Sequence, residues 1–129
     1  MQIKNDNSKN SHLQKGSKGE KFAAKFLKHK RFTILHKNYK TNLGEIDIIA
    51  HHIDTLVFIE VKARSSIDFG NPSEAVDGYK QQRISRAASQ FLSKHQIRGA
   101  NVRFDVVEVY LPDKQIEHIE NAFESYLSY

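Results

Sequence analysis

Residues 44–64 read GEIDIIAHHIDTLVFIEVKAR. Two runs rich in aliphatic and β-branched side chains, Glu45 to about Ala50 and Thr55 to about Ala63, flank a break at His51-His52-Ile53-Asp54. This pattern predicts two antiparallel strands joined by a short turn. Strand side chains alternate between faces. In the later run Val57, Ile59 and Val61 point one way, and Phe58, Glu60 and Lys62 point the other. In the earlier run Ile46 and Ile48 are expected on one face, opposite Glu45, Asp47 and Ile49. Asp47 and Glu60 therefore meet on one face of neighbouring strands, with Lys62 beside Glu60. Opposed side chains on such strands lie about 5 Å apart.

Outward from this hairpin the chain alternates helical and extended patterns. Phe22, Ala23, Phe26 and Leu27 follow helical spacing and predict a helix from about Ser17 to Lys30. Ser17 and Glu20 have the spacing of a capping box. RFTILHKNYKT, residues 31–41, reads as a strand, and Thr41-Asn42-Leu43-Gly44 as a turn. RSSIDFGNPSEAV, residues 64–76, reads as a loop with Gly70, Asn71 and Pro72 as breakers. A long helix is expected from about Asp77 to Lys94, its apolar stripe made by Ile84, Ala87, Ala88, Phe91 and Leu92. NVRFDVVEVYL, residues 101–111, is a fourth strand, and QIEHIENAF, residues 115–123, a short fifth. Strands joined by short turns pair antiparallel, whereas the long helix permits a parallel crossover. The predicted class is α/β, a mixed sheet with helices packed on it. Residues 17–129 form one domain, and residues 1–16, polar and lysine-dotted, are expected to be a mobile tail.

Composition narrows the function. No apolar run reaches the about 18 residues of a membrane span, and the N-terminus lacks the apolar core of a secretory signal. There is no cysteine, which excludes disulfides and thiolate metal sites and fits a reducing cytoplasm. The net charge is +5, an excess that favours a polyanionic partner.

The charged residues of the hairpin suggest a chemistry. Crowded carboxylates repel, and burial raises the cost. A hard divalent cation relieves that repulsion, and magnesium takes one or two carboxylates, waters and phosphate oxygens. Asp47 and Glu60 suit such an ion, and Lys62 could orient or deprotonate a water or stabilise charge on a phosphate. Glu20 lines up with Ala23, Ala24 and Leu27 and extends the sheet-facing stripe of its helix toward Asp47 and Glu60. Capping by Ser17 is the competing role for Glu20. Lys80, Arg83 and Arg86 lie off the stripe of the long helix, either on DNA phosphates or on a solvated face. Lys40, Lys62 and Arg64 extend a basic rim. His51 and His52 are expected to be exposed turn residues. Asp105 shares a face with Val107 and Val109 and is expected to pair with Arg103 or Arg64. His118 is expected in a structural role.

The pattern Asp47…Glu60-Val61-Lys62 resembles the signature of the PD-(D/E)XK nuclease superfamily. More closely, GEKFAAKFL, NYKTNLGEIDIIA, VFIEVKAR, GNPSEAV, KQQRI, RFDVVEV and HIENAF resemble, in this order, the YraN-like family of predicted endonucleases. That family is similar in turn to archaeal Holliday junction resolvases. The resemblance implies a restriction-endonuclease-like αβββαβ core, with a mixed central sheet and flanking helices. It implies cleavage of DNA, branched or otherwise structured, with Mg2+ or Mn2+. Carried over, the site is Glu20, Asp47, Glu60 and Lys62. The metal is held by Asp47, Glu60 and the Val61 carbonyl, while Glu20 serves a second ion or a water on the first. Lys40, Arg64, Lys80 and Arg83 would contact the nucleic acid, and a homodimer is the assembly such resolvases adopt. The strict proline of the signature is absent, since Ile46 precedes Asp47. A non-catalytic DNA-binding module on the same fold is the rival reading, and an RNA-binding accessory protein with a solvated acidic face a third.

Overall fold

The computed structural model describes residues 7–71 and 76–124, with side chains from residue 16 onward. The chain runs α1 (Asn7–His29), β1 (Thr33–Lys40), β2 (Glu45–His52), β3 (Thr55–Ser65), α2 (Gly78–Lys94), β4 (Asn101–Leu111) and β5 (Gln115–Ile119). One turn of 3-10 helix, Ser66–Asp68, follows β3. The strands form one sheet in the order β1-β2-β3-β4-β5. All neighbours are antiparallel except β3 and β4. This is the αβββαβ core with a mixed sheet, closed by one more strand.

The β3–β4 pair is parallel because α2 carries the chain back across the sheet between them. Both strands are covered on both faces, which is why they read as nearly continuous apolar runs. On one face α1 packs Ala23, Ala24 and Leu27 over Ile48, Ala50, Val57, Ile59, Val107 and Val109. On the other, α2 packs Ile84, Ala87, Ala88, Phe91 and Leu92 over Ile46, Ile49, Phe58, Phe104 and Val106. Asp77 caps α2, its Oδ1 accepting the Lys80 N–H at 2.8 Å. Two glycines allow close approaches. A Cβ on Gly19 would stand 3.1 Å from Ala63 Cβ, so α1 lies tightly on β3 there. A Cβ on Gly44 would stand 2.5 Å from the Arg83 carbonyl oxygen, so the β1–β2 turn rests on the α2 backbone.

Several sequence expectations are corrected. Helix α1 starts at Asn7, not Ser17. No proline interrupts the intervening residues, and the glycine at 16 costs only about 1 kcal/mol in a helix. Ser17 is therefore inside the helix and caps nothing. Residues 1–6 of the expected tail, and Pro72 among the expected loop breakers, lie outside the described residues. β2 extends to His52 and β5 ends at Ile119. His51 is exposed, while His52 stacks on Phe32 with ring centroids 4.0 Å apart. Ile46 and Ile48 do not share a face: Ile46 packs with the α2 group and Ile48 with the α1 group. The regular ladder between β2 and β3 runs from His52–Thr55 to Ile48–Ile59 and goes no further. Strict alternation assumes an unbroken ladder, and it fails where β2 leaves β3.

Candidate active site

Where the β2–β3 ladder stops, a side chain takes over from the main chain. Asp47 Oδ2 accepts the N–H of Val61 at 2.8 Å. This places the Asp47 carboxyl against β3 beside Glu60, whose side chain is 8% exposed. Burial, then the Glu60 charge, push Asp47 up from the usual 3.8 to about 8. The Val61 N–H opposes that rise, and the charge of Glu20 adds to it. Sequence alternation placed Asp47 and Glu60 together, and the structure brings them together through this departure from the ladder.

Glu20 joins the pair from α1. With Ser17 inside the helix, the capping alternative for Glu20 falls away. Burial raises the Glu20 carboxyl, an Asn38 side-chain hydrogen bond opposes that, and the charges of Glu45 and Glu60 raise it further. Lys40, opposite Glu45 in the β1–β2 register, draws it back down. Asn38 is a site residue that sequence reasoning missed. It has a left-handed φ of 54°, a conformation that asparagine tolerates better than most residues.

Lys80 comes in from the first turn of α2. Its ammonium lies 2.5 Å from Glu60 Oε2 with its side chain half exposed. Burial tends to lower Lys80, but the hydrogen bond and charge of Glu60, with Asp47 and Asp77 behind them, hold it above its usual value. The positive end of the α2 dipole adds to the same field. Lys62 is half-buried on β3, two residues past Glu60 and directly opposite Glu108 in the β3–β4 register.

The remaining basic residues divide. Arg64 donates from Nη1 to the Tyr110 hydroxyl at 3.1 Å, and the same nitrogen is 3.6 Å from Glu108 Oε2. The guanidinium of Arg83 lies over the Tyr79 ring, 5.8 Å from its centroid, and Arg86 is exposed on α2. Asp105 pairs with Arg103, as expected, and not with Arg64. Arg103 donates to both its oxygens, at 2.8 and 3.0 Å, and His118 Nε2 and the Asn121 N–H complete its shell. Burial pushes the Asp105 carboxyl up, but these bonds outweigh it and hold it below the usual range. His118 is thus structural.

Among the described residues no group of three or more His, Cys, Asp or Glu is gathered closely enough to hold a metal by itself. The donor set is a pair, Asp47 and Glu60, with the third carboxylate, Glu20, near enough to be felt electrostatically. A pair fits magnesium, which keeps waters and phosphate oxygens in its shell, better than an ion that needs an all-protein cage.

Fold and site together define a mixed-sheet α/β protein with a buried acidic pair at the point where β2 parts from β3. Residues 19–109 match the model of the uncharacterised protein family UPF0102, and the chain belongs to that family. A UPF0102 protein of Alkaliphilus oremlandii is 53% identical over 112 residues, covering 84% of this chain and 96% of its own. One of Clostridioides difficile is 48% identical over 110 residues, covering 85% and 96% respectively. One of Caldanaerobacter subterraneus is 48% identical over 113 residues, covering 84% and 93%.

Proposed function

We propose that this chain is a metal-dependent endonuclease of the YraN-like kind, hydrolysing phosphodiester bonds in DNA. The observation that carries the reading is the buried Asp47–Glu60 pair, with Asp47 bonded to the Val61 N–H and pushed up to about 8 by burial and then by the Glu60 charge. A solvated sheet face leaves two carboxylates apart and ionised. Proteins retain such strained pairs where a cation or a reaction uses them.

Asp47, Glu60 and the Val61 carbonyl would hold Mg2+ or Mn2+. When bound, the ion supplies positive charge for the phosphate oxygens and makes water more acidic. Lys62 orients or deprotonates the attacking water, or stabilises charge on the phosphate. Glu20 accepts a hydrogen bond from a water or serves a second ion. Lys80 bridges the carboxylates and the incoming phosphate, and Lys40, Arg64 and Arg83 contact the backbone. Branched or structured DNA and a homodimer follow from the resemblance to junction resolvases, and the cysteine-free sequence fits a cytoplasmic setting. Among the described residues no helix is long and apolar enough to cross a membrane.

The test is cleavage of linear, flapped, nicked and four-way DNA in EDTA, magnesium, manganese and calcium. Expected is cleavage in magnesium or manganese, abolished by Asp47→Asn and by Glu60→Gln. Full-rate cleavage by either variant overturns the assignment. Failure to cleave any DNA, with binding retained, transfers the reading to a DNA-binding module.

A further inference from the structure

Along β3 and β4, past Glu60, the sheet carries a second polar cluster, built around Arg64. Glu108 on β4 is 1% exposed, yet it lies in the apolar run VVEVY. The Tyr110 hydroxyl, also buried, donates to Glu108 Oε1 at 2.8 Å. Among the described residues Glu108 Oε2 has no hydrogen-bond partner. An unsatisfied buried carboxylate oxygen is costly, and the Arg64 guanidinium stands 3.6 Å from it. Arg64 hydrogen-bonds to the Tyr110 hydroxyl at 3.1 Å and lies over the Tyr110 ring, 5.3 Å from its centroid. Phe69 makes a perpendicular contact with the same ring, centroids 4.9 Å apart.

The three contacts fix where the guanidinium sits. Glu108 and Tyr110 both approach Nη1. Among the described residues Nε and Nη2 have no partner, and the Arg64 side chain is 23% exposed. A planar guanidinium with an open donor edge matches a phosphate bidentately. Its place along the strand gives the phosphate an address. Glu60, Lys62 and Arg64 lie at alternate positions of β3, which stays in register with β4 throughout. They therefore share a face, with about 7 Å between successive members. Successive phosphates of a DNA strand are similarly spaced.

We propose that Glu108 and Tyr110 hold Arg64 as the receptor for the second phosphate along the strand from the one at Asp47 and Glu60, Lys62 standing level with the linkage between them. This rests on the nuclease reading and refines it. The substrate then needs a second charged linkage on the Arg64 side of the cut. The site prefers internal linkages in a chain of nucleotides to an isolated diester. Glu108 is a positioning residue that acts through Arg64.

The experiment is equilibrium binding of a DNA substrate in EDTA, with single neutral methylphosphonate linkages placed at each position in turn. In wild type the position two linkages from the central one, on one side of it, should cost roughly tenfold in affinity, the scale of one charge-assisted hydrogen-bonded contact. Arg64→Ala should lose a similar factor on ordinary DNA, be indifferent to methylphosphonate at that position, and lower the salt slope by about 1. Glu108→Gln separates positioning from bulk charge. Removing a negative charge near DNA should tighten binding, yet loss of the Arg64 anchor should weaken it. Tyr110→Phe, which keeps the ring, gives the same readout if Glu108→Gln fails to fold. The proposal is overturned if Arg64→Ala still feels the methylphosphonate, or if the soluble variants of Glu108 and Tyr110 bind as tightly as wild type. If wild type binds no DNA, the nuclease reading falls with it. If it binds and cleaves but shows no Arg64-dependent position, only the subsite falls.

Discussion

Replacing Asp47 by asparagine should stabilise the protein at alkaline pH while abolishing its proposed activity. The folded Asp47 carboxyl titrates at about 8 instead of 3.8, chiefly through burial and next through the Glu60 charge. A raised carboxyl means that the folded state holds a proton the unfolded chain has already released. Stability is therefore full below about pH 4 and is lost as pH rises through 8, because the folded state must give up that proton at a cost. Across that span of about four pH units, at 1.36 kcal/mol each, the ceiling is about 6 kcal/mol. Relaxation of the pair and entry of water reduce such costs severalfold, so about 2 kcal/mol is expected at pH 8.5. For a chain of this length that is a Tm increase of about 7 °C. Asparagine is nearly isosteric, and its carbonyl oxygen can still accept the Val61 N–H. Melting curves of wild type and Asp47→Asn at pH 5 and 8.5 should thus diverge with pH. Adding magnesium should narrow the gap by raising only the wild type. Wild-type stability that is flat from pH 5 to 8.5, or a variant less stable than wild type at pH 8.5, refutes the reasoning.

Lys62→Ala should lower cleavage and weaken metal-free DNA binding slightly, whereas Glu60→Gln should abolish cleavage with binding equal or tighter; fluorescence anisotropy and single-turnover cleavage distinguish the two signs. Gly19→Val should cost about 1–3 kcal/mol, since α1 must move off Ala63 to admit the side chain. It should also lower cleavage by displacing Glu20, and full activity would show that Glu20 is dispensable. Asp105→Asn should destabilise by roughly 3 kcal/mol, because Arg103 and His118 are left without their buried anion. The carboxyl of Asp105 is held low, so wild type gains this stability above about pH 4 and loses it on acidification. Chemical denaturation at pH 7 and 3 measures both, and DNA affinity should be unchanged.

Much of this architecture is visible in the sequence because it rests on periodicity. The stripe of α2 from Ile84 to Leu92 is buried as its spacing requires, and β3 alternates regularly along its length because β4 holds it in register. Glu20 was legible for a similar reason, since it continues the sheet-facing stripe of α1. What could not be read depends on departures from period or on distance across elements. Ile46 changes face because β2 stops pairing with β3, and no residue type signals that. The start of α1 was hidden because its first turns carry no apolar stripe, while the serine and glutamate at 17 and 20 imitate a cap. The pairing of Lys80 with Glu60 joins two elements 20 positions apart in sequence, and a helix pattern could say only that Lys80 faced away from the core. Glu108 and Tyr110 sit in a run that reads as an ordinary buried strand. A carboxylate at a core position is a signal, but Arg64, its partner, lies on another strand.

The break in β2 accounts for the position of the site. In an unbroken antiparallel ladder a main-chain carbonyl would satisfy the Val61 N–H, and Asp47 would stand over the sheet among the α2 side chains. Because β2 pairs with β3 only from Ile48 onward, the N–H is left for a carboxylate, which lies against β3 and meets Glu60. The same parting brings Glu20 of α1 and Lys80 of α2, from helices on opposite faces, into the field of one acidic pair. Gly19 and Gly44 keep the two helices close enough for this, one against β3 and one against the β1–β2 turn. The stability given up in ladder bonds and carboxylate repulsion is thus concentrated at one point. The flanking regular strands, buried on both faces, hold that point rigid enough for a cation and a phosphate to find fixed partners.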